Sequence, residues 1–99
     1  MKLTIIPIDG AVYVDGVSYA GLDLSGCQIP DDVHALQWKD TAGWIEFVDN
    51  ADGIKPQNQL ITELPLWANE AKAKWDEAKW DEAKAAQEAQ PITEGTQPA

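Results

Sequence analysis

The chain of 99 residues carries one cysteine, Cys27, and one histidine, His34. These residue types most often supply a nucleophile, a general base or a soft metal ligand. A cysteine nucleophile must be held as thiolate by a neighbouring base or cation. No base adjoins Cys27 in sequence, and so many acids would raise its pKa rather than lower it. Cys27 therefore reads as a structural thiol. A single cysteine builds neither a disulfide framework nor a Cys-based zinc site, and it fits a reducing compartment. His34 lies in a strand pattern without a second histidine or a nearby cysteine. It reads as a half-buried, hydrogen-bonded histidine rather than a ligand or base.

Hard-cation chemistry is the next class to weigh. Asp31-Asp32, Asp49 and Asp52 are carboxylates in loop-like sequence. The alternating Asp/Asn pattern with a terminal Glu that builds a calcium loop is absent. So are a phosphate-binding glycine loop, Gly-x-Ser-x-Gly and His-Glu-x-x-His. The residues name no catalytic group, no metal site and no cofactor, and the chain is expected not to be an enzyme.

Charge narrows the partners. Seventeen acids stand against seven lysines, and the formal net charge is −10. There is no arginine to make bidentate contacts with phosphate or guanine. Direct binding of nucleic acid or of an anionic membrane is not expected, whereas a positively charged protein remains open. No apolar run approaches membrane-spanning length. The segment Met1–Pro7 lacks a signal-peptide core and cleavage site, so a soluble protein, not secreted by that route, is expected.

These residues must be carried by short strands and one helix. Leu3 to Ile6 reads as a first strand, and its stop at Pro7 suits a sheet edge, since proline donates no ladder bond. Ala11–Val14 and Val17–Ala20 flank Asp15-Gly16, the signal of a two-residue type I′ hairpin. That register pairs Val14 with Val17 and Val12 with Tyr19, leaving Tyr13, Ser18, Ala11 and Ala20 on the other face. Gly21 to Ser25 suits a short strand or an extended arm, and Gly26 to Asp32 a loop. Val33–Trp38 and Gly43–Val48 form a second hairpin across a four-residue loop, Lys39 to Ala42. Its pairs are Trp38 with Gly43, Leu36 with Ile45 and His34 with Phe47, a register preferred to a longer loop pairing Trp38 with Trp44 because it gathers Leu36, Trp38, Ile45 and Phe47 on one face. Trp44, Glu46 and Val48 then share the opposite face with Val33, Ala35 and Gln37. After a polar loop at 49–59, a last strand precedes Pro65, which suits the first turn of a helix.

The helix is expected to run from Pro65 to about Ala89. At about 100° per residue, with Trp67 as zero, Leu64, Trp67, Ala71, Trp75 and Ala78 make one apolar stripe. Lys74-Trp75-Asp76-Glu77-Ala78 repeats as Lys79-Trp80-Asp81-Glu82-Ala83. A five-residue step turns the helix about 140° beyond one full turn, so the copies cannot share a face. Trp80 falls near 220°, with Ala73 and Leu66 at about 240° and 260°. Trp80, Ala73, Leu66 and Ala83 in the Ala-rich end are the candidate partner-binding residues. The same face could also make a homo-oligomer. The expected fold is α+β, an antiparallel sheet of two hairpins and a short N-terminal strand packed against one long helix. Residues 1–90 form one domain, β-rich over 1–64 and helical over 65–90, and 91–99 a flexible tail.

Five stretches together resemble small proteins encoded near the tail or tail-fibre genes of tailed bacteriophages and prophages. They are Leu3-Thr4-Ile5-Ile6-Pro7, Val12-Tyr13-Val14-Asp15-Gly16-Val17, Val33-His34-Ala35-Leu36-Gln37-Trp38, Trp44-Ile45-Glu46-Phe47, and Ile61-Thr62-Glu63-Leu64-Pro65 leading into Trp67. These motifs form the fold and transfer no active site. The resemblance implies a virion-associated or tail-fibre-assembly role, in the bacterial host cytoplasm during assembly, with a phage or host protein as partner. The acidic balance admits an alternative, an inhibitor that occupies the basic channel of a host defence or DNA-binding protein.

Overall fold

The computed structural model describes residues 1–89, so the tail expected at 91–99 lies outside the described residues. The fold is α+β. Strands β1 (Lys2–Ile6), β2 (Ala11–Val14), β3 (Val17–Tyr19), β4 (Val33–Lys39), β5 (Ala42–Phe47) and β6 (Gln59–Ile61) build one antiparallel sheet in the order β3-β2-β1-β4-β5-β6. The helix α1 (Leu66–Ala89) lies against β2 and β3 and touches a short 3-10 turn at Ser25–Cys27.

The first hairpin forms in the predicted register, with Val14 opposite Val17 and Val12 opposite Tyr19. Asp15 and Gly16 both take positive φ, 49° and 88°, as a type I′ turn demands. In the second hairpin Trp38 faces Gly43 and Leu36 faces Ile45, as expected. Lys39 and Ala42 also pair, however, so the connection is a two-residue turn, Asp40-Thr41, rather than a four-residue loop. Asp40 tolerates the left-handed turn position at φ 56°.

Two further expectations are corrected. β1 is not an edge strand: it sits between β2 and β4. Pro7 begins a 3-10 turn just outside the strand, so its missing N–H removes nothing from the ladder. The pairing of His34 with Phe47 gives way to Val33 with Phe47, because a bulge between Val33 and Ala35 adds one residue to β4. Val33 thereby moves from the far face into the core. Of the two readings of Gly21 to Ser25, the arm is the one that forms, and it ends in the 3-10 turn.

Alternation then separates the two sheet faces. Leu3, Ile5, Val12, Val14, Leu36, Trp38 and Ile45 are buried on one of them. Over this face lie Ala68, Ala71 and Trp75 of α1, with Leu24 and Cys27 from the arm. Two turn aspartates tie the start of β1 in place. Lys2 N–H donates to Asp15 Oδ1 at 2.8 Å, and Asp15 N–H donates to the Lys2 carbonyl at 2.9 Å. The Met1 amine donates to Asp40 Oδ1 at 2.8 Å, and Asp40 N–H to the Met1 carbonyl at 2.8 Å. Both hairpin tips thus grip the same central strand.

Gly43 is the tightest point of the second hairpin. A Cβ there would stand 2.8 Å from Trp38 Cα and closer still to the Gln37 carbonyl oxygen, both backbone atoms that cannot swing away. Gly43→Ala is expected to cost about 2–3 kcal/mol in urea unfolding. Gly16→Ala meets open space and only the strain of its positive φ, so about 1 kcal/mol is expected there. Equal effects of the two substitutions would contradict the close approach of β4 and β5.

Candidate functional site

Trp75 fixes which way α1 faces. Its side chain is buried, and Nε1 donates to the Val17 carbonyl at 2.9 Å. Its ring meets Tyr19 edge to face, with centroids 5.9 Å apart. The ammonium groups of Lys72 and Lys79 lie 5.7 and 5.1 Å from the ring centre. Tyr19 Oη adds a second tie by donating to Glu82 Oε1 at 3.0 Å. Ala68 and Ala71, both fully buried, let the helix backbone approach the sheet closely. Of the predicted stripe, Ala71 and Trp75 are buried, while Leu64, Trp67 and Ala78 are half-buried. Ala68, about 100° from Trp67, was missed because a methyl side chain adds little to an apolar pattern.

The repeat resolves as its five-residue step requires. Trp75 is 6% exposed, and Trp80 is 71% exposed. Leu66 is 74% exposed, and Ala73 and Ala83 are also on the surface. Leu66, Ala73 and Trp80 form one line directly away from the sheet, and Ala83 stands about a sixth of a turn from Trp80 to one side. The structure therefore brings three of the four candidate residues into register and places the fourth beside them.

A charge pattern missed in the linear reading accompanies this line. Lys72 and Lys79 turn inward, toward Trp75. Lys74 borders the hollow between the helix and the arm, with Leu22, Asp23, Glu77, Ala78 and Asp81. Glu70 and Glu77 stand on one flank of the outward line, and Asp76 on the other. The signal was present in the spacing: Lys72 and Lys79 are seven apart and share a face, with Asp76 one turn from Lys72 and in contact with it, whereas Glu70 and Glu77 fall on the other side of the line.

Among the described residues the opposite face of the sheet carries no helix. Pairing aligns Ser18, Tyr13, Thr4, Gln37, Trp44 and Leu60 in one row across all six strands. Thr4 Oγ1 donates to Gln37 Oε1 at 2.7 Å, and Trp44 Nε1 to Glu46 Oε2 at 2.8 Å. Tyr13, Trp44 and Leu60 are exposed. The two hairpin faces were legible separately. Thr4, between core-facing Leu3 and Ile5, is the residue that joins them.

The residues with reactive side chains stay apart. Cys27 is buried, and its thiol is pushed up chiefly by that burial, with Glu70 and Asp23 adding to the rise and Lys74 opposing it. The direction agrees with expectation, but desolvation outweighs the acids. His34 is exposed rather than half-buried, because it is the extra residue of the bulge. Asp31, Asp32, Asp49 and Asp52 are all exposed. Among the described residues no three His, Cys, Asp or Glu side chains gather around a point that could hold a metal ion. No helix among them is long and apolar enough to cross a membrane. No protein-family model, no curated protein and no solved structure matches the chain.

The tie between Tyr19 and α1 is open to titration. Burial, then the hydrogen bond to Glu82 and its charge, hold the Tyr19 hydroxyl above its ordinary value. The fold favours the neutral phenol. Its contribution is therefore complete below pH about 10 and is lost as pH rises through the higher folded-state pKa. Phenolate absorbance should show a late component that Tyr19→Phe removes and Glu82→Gln moves back toward the ordinary range. Late titration unchanged by both substitutions would place the tie elsewhere.

Proposed function

We propose that this chain is a non-enzymatic assembly protein of a tailed bacteriophage or prophage, which holds a tail or tail-fibre component through the outward face of α1. The observation that carries the binding surface is the exposure of Trp80 and Leu66 on the side of the helix away from the sheet. A large aromatic side chain that the fold does not use is a strong anchor for a protein partner, since tryptophan dominates binding energy at many interfaces. The phage context is supported by the resemblance of the strand motifs and the Ile61–Pro65 lead into the helix. The sheet would serve as the platform that fixes the helix, and assembly would take place in the bacterial host cytoplasm.

The test is co-expression with proteins encoded beside it, followed by co-purification. The wild-type chain should retain a tail or fibre component, and Trp80→Ala and a chain ending at Ala78 should lose it. Trp80 is exposed, so its substitution should leave the circular dichroism of the fold unchanged. Retention by both variants would rule out docking through the helix. Capture of a host DNA-binding protein that DNA displaces would favour the acidic inhibitor instead.

A further inference from the structure

We infer that the outward face of α1 is shaped for a basic amphipathic helix, laid along it with apolar residues spaced by seven. This rests on the reading that the face binds a protein, and it specifies the chemistry of that protein. Leu66, Ala73 and Trp80 recur every seventh residue over about 21 Å of helix. A seven-residue line drifts by about 20° per repeat on a straight helix, and a partner that winds left-handedly around α1 follows that drift.

Charge decides between possible helices. Asp76 lies on one flank of the line, and Glu70, Glu77 and Asp81 on the other. Asp76 is 3.2 Å from Lys72 and Glu77 4.0 Å from Lys74, but these pairs are exposed and weak enough to be exchanged for a partner's cations. The lysines before Trp80 are directed toward the sheet or the arm; Lys84, one turn beyond Trp80, is the single cation on the outward line. A second copy would bring like-charged flanks together, at a net charge of −10 per chain. A helix with lysine or arginine on the side of its apolar seam that faces Glu70, Glu77 and Asp81 meets opposite charge there, while on the other flank Asp76 is shared with Lys72. At the Leu66 end, a hollow lined by Cys27, Gln28, Leu66, Trp67 and Glu70 can receive the first apolar side chain of such a partner.

Two synthetic helical peptides test this, one with leucine every seventh residue flanked by lysine, the other with the same leucines flanked by glutamate. Binding is measured by calorimetry to the full chain, to Trp80→Ala and to a variant neutralised as Glu70→Gln, Glu77→Gln and Asp81→Asn. The lysine peptide should bind at least about tenfold more tightly than the glutamate peptide, and added salt should erode the difference. Trp80→Ala should weaken it about thirtyfold, and neutralisation about tenfold. Equal binding of both peptides, or no loss on neutralisation, would overturn the basic helix while leaving the partner face to the co-purification test. Lysine-peptide binding that ignores Trp80→Ala, or no binding of either peptide, would overturn it as well. Failure of the partner reading shows separately, as co-purification indifferent to Trp80.

Discussion

The docking of Trp75 on the edge of the first hairpin is the interaction on which the rest depends. Its indole fills the space beside Tyr19, and its N–H satisfies the Val17 carbonyl at the rim of the sheet. A buried indole needs such a partner, and an edge strand benefits from having its exposed groups covered. Once Trp75 points inward, helical geometry leaves no freedom for the repeated segment. Trp80 must point outward, with Leu66 and Ala73 in line behind it. The duplication thus makes one tryptophan structural and leaves the other exposed.

The same geometry sorts the charges. A lysine ammonium is attracted to the face of an indole, and those of Lys72 and Lys79 both stand over the Trp75 ring. Glu82 stays inward on Tyr19 and Asp76 pairs with Lys72, while Glu70, Glu77 and Asp81 stand beside the outward line and make that flank negative. Partner choice would follow from this arrangement more than from the net charge of the chain, because sign at a contact depends on which side chains share a face.

Much of this was legible in the sequence. Asp15-Gly16 set the first hairpin, and the five-residue repeat separated Trp75 from Trp80. Local chemistry decides both. The misreadings arise where distant partners decide. Pro7 suits an edge by its own chemistry, but the place of β1 is set by what pairs with it on both sides. The bulge at His34 moved Val33 inward, which strict alternation cannot anticipate, and burial in the core stabilises that register. Ala68 and Thr4 were overlooked because their importance lies in what they face. The inward turn of the lysines became visible only once the helix was docked.

Exchange of the indole N–H protons with solvent, followed residue by residue by NMR, tests the central division of α1 most directly. The Trp75 proton, held by the Val17 carbonyl under a buried ring, should exchange far more slowly than that of Trp80. Trp80 should exchange at close to the rate of a free indole until a partner is added. Rapid exchange at both positions, or protection of Trp80 in the isolated chain, would contradict the account.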